Sequence, residues 1–111
     1  MKISVLGTKD FTDYQLLEKE LVKEKADVFV VGGKRGPDEL AQEYALENDI
    51  PTQVFLPDYQ KYGRSANYYR NLQMIEHSSK VIIFWNGRSR SHYNYLPHIR
   101  KWKRLFRTVI Y

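Results

Sequence analysis

Apolar residues fall along this chain in short runs that alternate with helical spacings, and that alternation predicts a β–α–β succession. Ile3 to Leu6 reads as a strand ending at Gly7, and Val28 to Val31 as a second. Thr52 to Leu56 gives a third, Val81 to Trp85 a fourth and Thr108 to Ile110 a fifth at the end of the chain. The runs VFVV and VIIFW show no polar alternation, as expected of strands covered on both faces in a parallel sheet. Between the strands, apolar positions recur with a helical period. Thr12 and Gln15 make a capping-box start for a helix with Tyr14, Leu17 and Leu21 on one face. Pro37 to about Glu47 forms a second helix, with Pro37 at its first position, Asp38 and Glu39 in its first turn, and Leu40, Ala41, Tyr44 and Ala45 inward. A polar, tyrosine-rich loop from Pro57 to Gly63 leads to a helix over Ser65 to His77. The last helix is basic, with Ile99, Trp102, Leu105 and Phe106 as its apolar side. Pro97 predicts that this helix is kinked or starts late, because an interior proline costs about 3 kcal/mol.

Strands and helices at this spacing imply right-handed crossovers and a Rossmann-like three-layer α/β sandwich of about five parallel strands in a single domain. The usual order for such chains, 3-2-1-4-5, sets the first and fourth strands side by side and opens a crevice at their carboxyl ends. Three loops would line it: Gly7-Thr8-Lys9-Asp10, Gly32-Gly33-Lys34-Arg35-Gly36 and Asn86-Gly87-Arg88-Ser89-Arg90-Ser91. Each carries glycine and a cation, as a pocket for an anionic ligand requires.

Composition narrows the field. With 42% hydrophobic and 28% charged residues over 111 positions, the chain reads as one soluble globular domain. No apolar run reaches membrane-spanning length and the first strand is no signal peptide, so a cytoplasmic protein without a membrane partner is expected. Zero cysteines exclude disulfides and thiol catalysis. His77, His92 and His98 have no metal-ligand spacing, and no P-loop occurs, so neither a metal nor a cofactor is expected. The net charge of +5 keeps nucleic acid as a lesser possibility, since Arg88, Arg90, Arg100, Lys101, Lys103, Arg104 and Arg107 cluster late. The solvated face of the last helix explains the same residues.

Read together, GTKDF at Gly7 to Phe11, GGKRGPD at Gly32 to Asp38, RNLQM at Arg70 to Met74 and FWNGRSRS at Phe84 to Ser91 resemble the SLOG superfamily. The likeness is to its small YspA-like, cpYpsA-related branch of bacterial and phage proteins. That resemblance implies a Rossmann-like nucleotide-binding domain, in a superfamily that includes the lonely-guy phosphoribohydrolases and the DNA-processing protein DprA. It also implies that Arg70 and Asn71 face the ligand from their helix, and that copies of the chain pair into a homo-oligomer. In the lonely-guy enzymes a glutamate on the fourth loop serves glycosidic cleavage. Here Tyr95 stands in its place, so binding is expected to survive and that catalysis to be lost.

The expected ligand-binding set is Gly7, Thr8 and Lys9; Gly32, Gly33, Arg35, Gly36 and Asp38; Arg70 and Asn71; and Asn86, Gly87, Arg88, Ser89 and Ser91. Arg35 can fork onto phosphate or carboxylate, Asp38 can hold a ribose hydroxyl or orient Arg35, and Thr8 can donate to phosphate or cap its turn. For Arg70, a salt bridge to Glu76 or Asp58 is the competing role. Tyr59, Tyr62, Tyr68, Tyr69, Trp85 and Tyr93 offer stacking surfaces. The leading expectation is a sensor or sequestering protein for a nucleotide-derived small molecule of ADP-ribose or cyclic-nucleotide type. Two others stand beside it: a nucleotide hydrolase using Asp10, Asp38 or Glu39, and a nucleic-acid module using Arg88 to Arg107.

Overall fold

The strands pair in the order β3-β2-β1-β4-β5, all parallel. A computed structural model describes residues 1–33 and 36–111. In chain order its elements are β1 (Lys2–Gly7), α1 (Tyr14–Leu21), β2 (Val28–Val31), α2 (Pro37–Glu47), β3 (Thr52–Val54), α3 (Tyr59–Tyr62), α4 (Ala66–Glu76), β4 (Lys80–Trp85), α5 (Ser91–Lys101) and β5 (Leu105–Ile110). β1 is central, with Ile3 opposite Phe29 on one side and Val5 opposite Ile82 on the other.

Side chains of the buried strands divide between two cores, which is why their sequences lack polar alternation. Ile3, Val5, Phe29, Val31, Ile82 and Phe84 join Leu17 and Leu21 of α1 and Ala41, Tyr44 and Ala45 of α2. Leu6, Val30, Val81 and Ile83 face the other way, onto Met74 and Ile75 of α4 and Tyr95 and Ile99 of α5. Ser4 enters this second layer at no cost in unpaired groups, because its hydroxyl donates to the Met74 carbonyl at 2.9 Å.

An ion-pair network ties the amino edge of the sheet. Arg107 on β5 bonds Glu20 at 2.8 Å and Glu24 at 3.0 Å, and Lys80 at the start of β4 meets Glu24 at 2.8 Å. Lys23 and then Arg107 hold the Glu20 carboxyl below the usual carboxylate range, and against burial Lys80 and Arg107 do the same for Glu24.

Several local expectations are corrected. Asp13, not Thr12, caps α1, accepting from the Leu16 amide at 3.1 Å. Strand β3 stops at Val54, and the tyrosine-rich stretch is not a loop: Asp58 caps α3, and Gly63–Ser65 adds a 3-10 turn leading into α4. Helix α5 begins at Ser91 and runs through Pro97 to Lys101, so it does not start late. The proline removes a donor to the carbonyl of Tyr93, a residue exposed to water. Leu105 and Phe106 belong to β5 rather than to the apolar side of a helix. Lys103, at a positive φ of 57°, makes the turn between α5 and β5.

Candidate functional site

The chain winds from β1 outward to β3, then crosses back to β4 and β5, so β1 and β4 flank a topological switch point. A cavity of about 750 Å³ lies there. Loop residues Gly7, Thr8, Lys9, Gly32 and Gly33 line it, with Asp38 from α2, Asn67, Arg70 and Asn71 from α4, and Ser91, His92 and Tyr95 from α5. Leu56, Pro57, Tyr59, Phe84 and Trp85 supply apolar and aromatic wall.

Glycine lets these segments approach one another. A Cβ on Gly7 would lie 2.5 Å from Pro37 Cγ and 2.7 Å from the Phe84 carbonyl oxygen, so β1, β4 and the start of α2 close only without one. Gly36 sits at a φ of 64°, and a Cβ there would come 2.8 Å from the Thr8 carbonyl oxygen. It therefore turns into α2 directly beneath the first loop, and does not itself line the cavity. Lys34 and Arg35, between these glycines, lie outside the described residues, and the role expected of Arg35 with them.

The Gly32 peptide is engaged at both ends. Its N–H donates to Asp38 Oδ1 at 3.1 Å, and its carbonyl accepts from Arg70 Nη1. The Arg70 guanidinium also donates to Asn71 Oδ1 at 2.9 Å and Asn67 Oδ1 at 3.3 Å, and Asn71 Nδ2 donates to the Tyr95 hydroxyl at 2.8 Å. Neither Glu76 nor Asp58 is among its partners, which removes the competing salt bridge. A Cβ on Gly32 would lie 2.7 Å from Arg70 Cζ, so the guanidinium lies against bare backbone. Burial pushes the Asp38 carboxyl above its ordinary range, with the Arg70 charge and the Gly32 amide pulling the other way. The Gly32 amide is thus not free for a ligand. The Gly32 peptide is a bonded platform between one carboxylate and one guanidinium.

The first loop is held from outside the cavity. Asp10 accepts from Tyr111 at 2.5 Å and from Asn86 Nδ2 at 3.2 Å, and it also takes a bond from Thr8. These donors hold its carboxyl at about 2. In the fourth loop Asn86 Oδ1 accepts from the Arg88 and Ser89 amides at 2.8 and 2.9 Å, closing a turn. Asn86, Gly87, Arg88 and Ser89 shape this turn and do not line the cavity, whereas Ser91 does. Trp85 donates from Nε1 to the Ser89 carbonyl at 2.8 Å and stacks on His92 at 4.4 Å. Burial holds His92 below the usual histidine range; its Nε2 meets Thr108 Oγ1 at 3.0 Å, and its buried Nδ1 has no partner among the described residues.

Asn67, His92 and Tyr95 line the cavity without having been singled out as ligand contacts. Helical spacing carried a signal for two of them: Asn67 is three residues before Arg70, and Tyr95 four after Ser91, each on the same helix face. Among the described residues, no group of three histidine, aspartate or glutamate side chains is placed to hold a metal ion. Among the described residues, no helix is long and apolar enough to cross a membrane either.

Sheet order and cavity together define a Rossmann-like α/β domain with a ligand crevice at its switch point. A model of the YspA, cpYpsA-related SLOG family matches residues 1–62, more than half of the 111 residues, and the chain belongs to that family. Membership points to nucleotide-related binding or processing. The matched span runs from β1 through α3 and takes in the first two loops; Arg70 and α5 follow it. Neither a search of curated proteins nor one of solved structures returned a match.

Proposed function

We propose that this chain binds a nucleotide or nucleotide-derived small molecule of ADP-ribose or cyclic-nucleotide type in the switch-point cavity, as a sensor or sequestering protein, and releases it unchanged. The observation that carries this reading is that one cavity is lined both by a bonded polar group, built on Asp38 and Arg70, and by the aromatic rings of Trp85 and Tyr59. A carboxylate suits hydroxyl donors such as those of a ribose, and would repel a phosphate. Lys9 and Ser91 suit the anionic end, and the ring faces suit a base. Tyr95 supports binding over cleavage: burial raises its phenol, which stays neutral, and its hydroxyl is tied to Asn71.

Cleavage of a glycosidic bond is the second reading, favoured by one fact. Asp38 is the one carboxylate among the described lining residues, and its raised pKa suits a proton donor. Asp10 and Glu39 do not line the cavity. Calorimetry against AMP, ADP-ribose and cyclic AMP, followed by chromatography of the recovered ligand, separates the two. Binding with the ligand intact supports sequestration, release of free base supports hydrolysis, and absence of heat with all three ends the pocket reading.

The nucleic-acid reading loses ground because Arg104 is spent on the Ile75, Glu76 and Trp102 carbonyls and Arg107 on Glu20 and Glu24. A homo-oligomer remains a proposal, resting on exposed Leu56, Tyr59, Leu105 and Ile110, and light scattering would count the copies.

A further inference from the structure

We infer that the Tyr111 hydroxyl, with Asp10 and Asn86, is a latch that holds the loop after β1 in its ligand-receiving shape. The inference rests on the pocket reading above. Tyr111 and Asp10 do not line the cavity, but Thr8 and Lys9 do, and the Tyr111 hydroxyl and the Asn86 amide group both reach the segment Thr8–Asp10. Tyr111 donates to Asp10 Oδ1 at 2.5 Å and lies 2.6 Å from Thr8 Oγ1. Two hydroxyl protons therefore serve three contacts, so the Thr8 hydroxyl turns toward the latch and offers a lone pair, not a proton, to anything in the cavity.

The same residues bridge distant parts of the chain. Asn86, just after β4, reaches Asp10 at 3.2 Å. The Tyr111 amide donates to the Trp85 carbonyl at 3.1 Å, which continues the β5 pairing to the sheet's carboxyl edge. Its ring packs edge-on against Phe11 at 4.8 Å, and Phe11 is buried against Phe84. The ring is thus anchored by packing and the hydroxyl is free to serve the loop. From below, Gly36 supports Thr8 and Lys9 at a separation that admits no side chain. The loop is gripped from both sides, and only the latch side depends on hydroxyl chemistry. Tyr111 and Asp10 are positioning residues.

Tyr111→Phe keeps the ring and removes the hydroxyl. The expected result is an unchanged melting temperature, amide hydrogen exchange at Lys9 to Phe11 faster by about tenfold, and affinity for ADP-ribose weaker by about three- to tenfold, the worth of one hydrogen bond. Asp10→Ala is expected to do the same, and Asp10→Asn, which still accepts from hydroxyls, to recover most of the loss. That rescue separates positioning from bulk packing. Unchanged exchange in both Tyr111→Phe and Asp10→Ala overturns the latch, as does faster exchange with unaltered affinity. Should the wild-type chain bind no ADP-ribose, AMP or cyclic AMP, the pocket reading falls by itself, and the exchange measurement alone decides whether the latch holds the loop.

Discussion

Gly32→Ala isolates the ligand-facing role of a glycine from its structural role. Gly32 is not among the residues with positive φ, so alanine meets no backbone strain there, and it restricts the unfolded chain by about 0.4–1 kcal/mol in favour of folding. The added methyl would lie 2.7 Å from Arg70 Cζ and Nε, so a shift of roughly 0.7 Å by the guanidinium restores ordinary contact at 3.4 Å. Arg70 is the far end of a flexible side chain, and it can make that shift by giving up its bond to the Gly32 carbonyl. A hydrogen bond to a charged group is worth about 1.5–3 kcal/mol when lost outright, but Arg70 is only partly buried and water replaces part of it. The net change in stability should therefore stay within about 1 kcal/mol, a few degrees of melting temperature for a domain of this size. Binding has no such compensation, because the guanidinium leaves the position from which it faces the cavity. Affinity for ADP-ribose is expected to drop by about tenfold or more, or about 1.4 kcal/mol per decade. Gly7→Ala is the control: its methyl meets the Phe84 backbone at 2.7 Å, which cannot swing aside, and thermal unfolding should register several degrees of loss. Calorimetry and thermal melts on both variants decide the matter. A Gly32→Ala protein that melts as low as Gly7→Ala, or that binds like wild type, would refute the reasoning.

Two further predictions use charge. The Asp38 carboxyl is raised above the ordinary aspartate value of 3.8, so the folded state carries a cost that grows as pH rises through the raised pKa and is absent below 3.8. Asp38→Asn should gain stability relative to wild type at pH 7 compared with pH 3.5, read from urea midpoints, while losing about tenfold in affinity for a ribose-bearing probe; a wild-type advantage that grows toward neutral pH would contradict it. Arg107→Met should cost roughly 1–3 kcal/mol at neutral pH by leaving Glu20 with Lys23 alone and Glu24 with Lys80 alone. Because both carboxyls are lowered from 4.5, the wild-type benefit is present above that value and fades as pH falls through the lowered pKa, so the two proteins should converge in acid; a gap that stays constant with pH would exclude the ion pairs as its source.

The strands and their parallel packing were legible because they depend on patterns that survive in one dimension, whereas their order was taken from the usual order of such chains. VFVV and VIIFW announce strands covered on both sides, and Gly7 and Gly32 mark their ends. Local chemistry decided what was missed. Thr12 and Asp13 are adjacent and both are good caps, and only three-dimensional placement gives the Leu16 amide to Asp13. The stretch Leu105-Phe106 continues a helical period from Ile99 and Trp102, yet Lys103 at positive φ breaks it and the edge of β4 claims the segment. At the site, sequence placed the fourth loop among the ligand contacts by its glycine and serines, but Asn86 folds that loop back on itself. Gly32 read as a phosphate-turn glycine, and its tighter purpose, room for Arg70, depends on a residue 38 positions away.

The Glu20–Glu24–Lys80–Arg107 network sits at the amino edge of the sheet and the cavity at the carboxyl edge, with the buried strands between them. Such a separation divides the chain into a half that can drift and a half that cannot. Substitutions in the loops after β1, β2 and β4 change what the crevice accepts while the far edge keeps the sheet closed, so descendants of one such domain can diverge in ligand before they diverge in fold.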